Sequence, residues 1–129
     1  MAQSNQNNRP DCLERLGNIN STRIIYIYYA HKAVLLRGTS LFTGNRIGGD
    51  ASNFLMFRLQ DYHITANVVN NIGPFVSTAQ FLDQRILHLD HIPEYELQVD
   101  HVLRIDVTEV GSYNWRDVVF AMDYQVKGN

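Results

Sequence analysis

Cysteine is nearly absent: Cys12 stands alone in 129 residues. One thiol cannot form an intramolecular disulfide, so a disulfide scaffold and a Cys-based zinc site are both excluded. Lysine is almost as scarce, with Lys32 and Lys127 against nine arginines. Neither charge sign dominates, since 11 basic and 13 acidic residues leave a net charge of -2. A duplex nucleic-acid binder shows a basic excess or stripe, so no nucleic-acid partner is expected. No apolar run nears the roughly 18 residues that span a bilayer as a helix, so no membrane partner is expected either. The opening Met-Ala-Gln-Ser-Asn-Gln-Asn-Asn lacks the apolar segment of a secretory signal, and folding in a reducing cytoplasm is expected.

What is present is a 45% apolar chain of one-domain length, enough to close a core unaided. The preference for Arg over Lys is typical of protein interfaces, where a planar, weakly hydrated guanidinium binds bidentately. Residues 1–8 are rich in Asn and Gln and carry no apolar anchor, so residues 1–22 are expected to form an extended arm. Within it, Pro10 and Asp11 suit a helix start and Gly17 a stop, which predicts a short helix over 10–17. Leu13 and Leu16 would share one face of that helix. Too short to be stable alone, it would have to dock, either on this chain's core or on a neighbour.

From Arg23 the period changes to two, and residues 23–129 read as the folded domain. Residues 23–29 are β-branched and aromatic throughout, as in a strand. Further strands are expected over 33–42, with a bend or bulge at Gly38, and over 54–59, 62–69, 75–82 and 85–89. Residues 95–99 suit a short edge strand. Residues 43–53 and 70–74 carry the Gly, Asn, Asp and Pro of loops and turns. In 101–110, Leu103, Ile105 and Val107 alternate with Arg104, Asp106 and Thr108. In 118–126, Val118, Phe120, Met122, Tyr124 and Val126 share a face. Eight or nine short strands with regular turn signals predict an all-β, antiparallel β-sandwich or barrel.

Catalytic motifs do not stand out. His88, His91, Glu94, Glu96 and His101 lie close in sequence, but a His-x-x-His pair on a strand sends its rings to opposite faces. Ser40, Ser77 and Ser112 lie in no nucleophile elbow, and Gly48-Gly49-Asp50 is followed by no Lys-Ser/Thr of a phosphate loop. The chain is therefore not expected to be an enzyme, nor to hold a metal or cofactor. The aromatics of 23–29 point elsewhere: on a regular strand Tyr26 and Tyr28 share one face and Tyr29 takes the other. Partly polar aromatics on a strand suit subunit packing. The expected partner-binding residues are Leu13, Leu16, Ile19, Tyr26, Tyr28 and Tyr29.

Residues 95–107, a turn, then 118–126 ending at Gly128 resemble the closing strands of small viral and phage jelly rolls. A polar leading arm before a compact β-domain is similar to capsid, capsid-decoration and vertex proteins. This resemblance implies a jelly-roll-like sandwich acting as a virion structural protein, localised to the virion and assembled in the host cytoplasm. Its partners would be neighbouring virion proteins and its own copies, as a trimer or pentamer. Three other readings remain: a carbohydrate- or receptor-binding module, a small cupin-like metalloenzyme, and a lipocalin-like barrel enclosing an apolar ligand.

Overall fold

The computed structural model describes residues 11–44, 47, 50–80, 85–89 and 94–127. Ten strands follow in order: β1 (Asp11–Ile19), β2 (Arg23–Tyr29), β3 (Val34–Phe42), β4 (Phe54–His63), β5 (Val68–Asn71), β6 (Val76–Ser77), β7 (Ile86–His88), β8 (Tyr95–Leu97), β9 (His101–Val110) and β10 (Trp115–Val126). A 3-10 turn, Thr78–Gln80, follows β6. The first sheet has the order β1-β10-β3-β7, with β8 also paired to β3. The second has the order β2-β9-β4-β5, with β6 also paired to β4. All pairings are antiparallel. β7 and β8 lie end to end along β3, as β5 and β6 do along β4. Each sheet is thus four strands wide; the chain crosses between sheets from β1 to β4, stays in the second for β5 and β6, returns to the first for β7 and β8, and crosses again for β9 and β10, the path of a jelly roll.

Period-two alternation builds the core. Leu103, Ile105 and Val107 of β9 face Val118, Phe120 and Met122 of β10 across the sandwich, all essentially buried. Trp115 joins them, its ring centroid 5.8 Å from that of Phe57. Each such side chain contributes about 1.5–3 kcal/mol by leaving water. Among the described residues the strands form two separate sheets rather than one closed sheet, which excludes the lipocalin-like barrel. No helix among the described residues is long and apolar enough to cross a membrane.

Several sequence expectations are corrected. Residues 11–17 are not helical: they belong to β1, paired along β10 from Asp11↔Asp123 to Ile19↔Trp115. A two-turn helix cannot offset its own nucleation, whereas a strand here completes a ladder with β10. The supposed arm therefore contributes an edge strand, and residues 1–10 lie outside the described residues. Residues 54–63 form one strand rather than breaking after Leu59, because Gln60 and Asp61 find internal partners. β5 begins only at Val68 and runs to Asn71, past the start of the expected 70–74 turn. Of the expected 75–82 strand, only Val76–Ser77 is extended among the described residues. The bulge near Gly38 is present: the register shifts between Asp123 and Tyr124, leaving Arg37 unmatched.

A second bulge changes which tyrosines face out. The β2–β9 register shifts between Tyr26 and Tyr28, so Ile27 is the extra residue. Tyr26 and Tyr29 consequently take the outer face. Tyr28 packs inward, 5.4 Å from the ring of Tyr124.

Candidate functional site

The outer face of the second sheet carries an ordered set of polar and aromatic side chains. Alternation along β9 turns Arg104 and Asp106 outward, and alternation along β4 turns out Arg58, Gln60 and Tyr62. The register sets Arg104 between Gln60 and Tyr26, and Asp106 between Arg58 and Ile24. Arg58 Nη2 donates to Asp106 Oδ2 at 2.9 Å, while its guanidinium lies 4.1 Å from the Phe75 ring centre. Arg104 is held differently. Its Nε donates to Gln60 Oε1 at 2.8 Å, and Gln60 Nε2 donates to Asn71 Oδ1 at 3.0 Å. Its guanidinium carbon is 4.8 Å from the Tyr62 ring and 5.9 Å from the Tyr26 ring. Tyr62 is itself fixed by donating its hydroxyl to Asn67 Oδ1 at 3.0 Å.

A second polar group closes one end of the sandwich. Asp61, 3% exposed, accepts the Tyr95 hydroxyl and lies 2.6 Å from His101 Nδ1. The His101 ring stacks on His63, centroids 4.3 Å apart and 13° from parallel. His63 Nε2 is 3.5 Å from Asp100 Oδ2. Asp100 also accepts from the Thr65 hydroxyl, and from the Tyr29 hydroxyl at 3.0 Å. Burial, aided by the bond to Asp61, pushes the Tyr95 hydroxyl far above its ordinary value. Hydrogen bonds from Thr65 and then Tyr29 hold Asp100 below the usual carboxylate range. The group fastens the 64–67 turn and the β8–β9 connection to the sheet end. Its members are engaged with one another rather than converging on a shared open position.

A carboxyl lowered in the folded state binds its proton less tightly there than in the unfolded chain. The stabilisation from Asp100, and from Glu96 beside Lys127, is complete above the ordinary carboxyl value of about 4. It is lost as the pH falls through the lowered folded values. Urea midpoints are therefore expected to fall on acidification below about pH 4. Asp100→Asn, which still accepts from Tyr29, should flatten part of that fall; an unchanged slope would count against the assignment.

The histidine- and carboxylate-rich segment disperses. His88 Nδ1 is 2.9 Å from Ser40 Oγ, Glu94 lies 4.0 Å from Arg37, Glu96 accepts from Lys127 at 2.9 Å, and His101 meets Asp61. His91 is outside the described residues. Among the described residues no three His, Cys, Asp or Glu side chains group to hold a metal.

The six expected partner-binding residues also separate. Leu13 points outward from β1 and is 69% exposed, and Tyr26 is 60% exposed on the second sheet. Leu16 and Tyr28 are half-buried against the core. Ile19 is fully buried opposite Trp115, so its expected role is corrected to packing. Tyr29 belongs to the Asp100 group. Leu13 and Leu16, three apart, face opposite sides because the segment is a strand. Arg58, Arg104 and Gln60 were not singled out from sequence. Alternation shows that Arg104 faces out, but their pairing depends on the β4–β9 register.

No family model and no curated protein matches this chain. Among solved structures it is similar to the Drosophila NLP-core, at 10% identity and a TM-score of 0.42, over 92% of this chain and 99% of that one. That crystal structure is described as providing insight into pentamer formation and histone binding. A likeness of this degree carries no functional argument. Its description concerns pentamer formation and histone binding and no virion component, and with no family model or curated protein behind it the expected virion structural role, with its viral, phage and capsid terms, is left without support and is withdrawn.

Proposed function

We propose that this chain is a binding module that assembles with copies of itself through the side where β1 and β2 terminate the two sheets. The observation that carries this reading is the coincidence of two open strand edges with apolar side chains. β1 and β2 each pair on one edge only among the described residues, and they flank a cleft of about 420 Å³. Leu13 stands exposed on one side of this rim and Ile24 and Tyr26 on the other, with Leu16 and Ile25 lining the cleft between them.

Long unprotected edges invite other chains, and proteins usually blunt them with Lys, Pro or bulges. Neither strand holds Lys or Pro. Both are bulged, β1 on either side of Gly17 and β2 at Ile27. Bulged edges twist away from simple strand addition, so side-chain packing of the rim is the expected mode. A closed ring of three or five copies would bury this rim against a different patch on the next copy.

Light scattering on the purified chain is expected to give a mass of several copies. Leu13→Asp combined with Ile24→Asp should release monomers that keep the β-sheet circular dichroism. A monomer for the unaltered chain at high protein concentration would overturn the proposal.

A further inference from the structure

Arg104 holds its guanidinium on the outer face of β9, fixed through one nitrogen. Its Nε is committed to Gln60, whose own amide is fixed by Asn71. Gln60 is 6% exposed, so this support is buried and its geometry set. Tyr62 and Tyr26 flank the guanidinium plane from neighbouring strands. The two terminal nitrogens have no acceptor among the described residues. A guanidinium fixed at Nε with both terminal nitrogens free presents the fork that takes a carboxylate bidentately.

The charges on this face decide what it can bind. Its outward acid on β9, Asp106, is already engaged by Arg58 at 2.9 Å. Arg104 forms no ion pair among the described residues, so the face carries one uncompensated positive charge between the outward-facing Tyr26 and Tyr62 side chains. Tyr and Arg in such a setting are the side chains that concentrate binding energy at protein interfaces. Two copies meeting face to face would oppose their Arg104 side chains and offer no unengaged β9 acid. An exposed sheet face, with Tyr26 60% open to solvent, suits an extended peptide better than an enclosed small molecule.

We infer that the outer face of the second sheet docks an acidic segment of a different protein, one Glu or Asp carboxylate of which is clamped by Arg104 between Tyr26 and Tyr62. This surface adjoins the rim through which copies are proposed to assemble and shares Tyr26 with it, whereas Arg104, Gln60 and Tyr62 lie on the inner strands of the sheet. The two ideas fail independently, because binding can be read in both the unaltered chain and the Leu13→Asp, Ile24→Asp variant.

The test is nuclear magnetic resonance on the isotope-labelled chain, titrated with blocked tripeptides Tyr-Glu-Leu and Tyr-Gln-Leu. The Glu peptide is expected to move the Arg104 side-chain signal and the backbone amides of Tyr26, Gln60 and Tyr62, and the Gln peptide is not. Arg104→Gln should weaken the Glu peptide roughly tenfold or more, the usual scale for losing a charged hydrogen-bond pair. Arg104→Lys should recover only part of that loss, since an ammonium cannot fork. Tyr62→Phe, which keeps the ring, should bind nearly as the parent does. Equal shifts with both peptides, or shifts that survive Arg104→Gln, would overturn the inference. So would tighter binding of N-acetylneuraminic acid at the same signals, which would make the site one for acidic sugars.

Discussion

Gly111→Ala is expected to cost roughly 3 kcal/mol or more, lowering the thermal midpoint by about 10 °C. Gly111 sits in the β9–β10 turn at φ +70°, where a Cβ alone costs roughly 1–2 kcal/mol. Here the added methyl would also collide with the Ser52 carbonyl oxygen and lie 2.5 Å from Asn53 Oδ1. Neither neighbour can yield freely. Asp50 Oδ1 accepts from the backbone N–H groups of Ser52 and Asn53 at 2.8 and 2.9 Å, and Asn53 Oδ1 accepts from Ser112 N at 2.9 Å. Moving them unlocks the 50–53 loop from the turn it supports. Gly17 provides the control. It has the same handedness, φ +73°, but open space where its Cβ would go. Gly17→Ala should therefore cost only the backbone share. Urea unfolding of both variants separates strain from collision, and similar losses at the two sites would show the collision to be relieved at little cost.

The same contrast between local and distant causes explains what the sequence made legible. Alternation in β9 sorted Leu103, Ile105 and Val107 from Arg104 and Asp106, because pleating alone dictates opposite faces. It served equally for Val118, Phe120 and Met122. Nothing local marks Ile27 as an extra residue in a run of β-branched and aromatic side chains, so Tyr28 and Tyr29 exchanged their expected faces. Residues 10–17 carried helix-start and helix-stop signals that were outweighed by a partner strand about a hundred residues away. The candidate site was least legible of all. Arg104 and Gln60 are 44 positions apart, and Asp61 and His101 are 40 apart. Their meeting depends on which strands are neighbours and in what register, and alternation fixes faces without fixing neighbours. The histidines drew attention because they are close in sequence, yet successive residues of this segment are distributed to different strands.

Asp61→Ala carries the other large expected effect, about 3–5 kcal/mol, the range for stripping one member from a buried hydrogen-bonded pair. Asp61 points into the sandwich from β4, so its carboxyl group was desolvated on folding, and its side-chain partners among the described residues are the Tyr95 hydroxyl and His101 Nδ1. Removing it leaves the Tyr95 hydroxyl and the His101 ring nitrogen without this partner at once and opens a space next to them. The consequence should reach beyond global stability. The stacked His63 ring and Asp100 hold the β8–β9 connection through His101, and Asp100 occupies a left-handed backbone position at φ 70° that needs such support. Hydrogen exchange in Asp61→Ala is therefore expected to rise first at Ile64, whose N–H donates to the Asp100 carbonyl, and at Asp100, whose N–H donates to the Ala30 carbonyl. Tyr95→Phe should cost nearer 1 kcal/mol, since one hydroxyl is lost and Asp61 keeps His101. Because both variants remove the same bond, their effects should not add, and the double variant should lose less than the sum. Strict additivity would mean that Tyr95 and Asp61 stabilise the fold independently, and that the hydroxyl–carboxylate bond is not what holds this end of the sandwich.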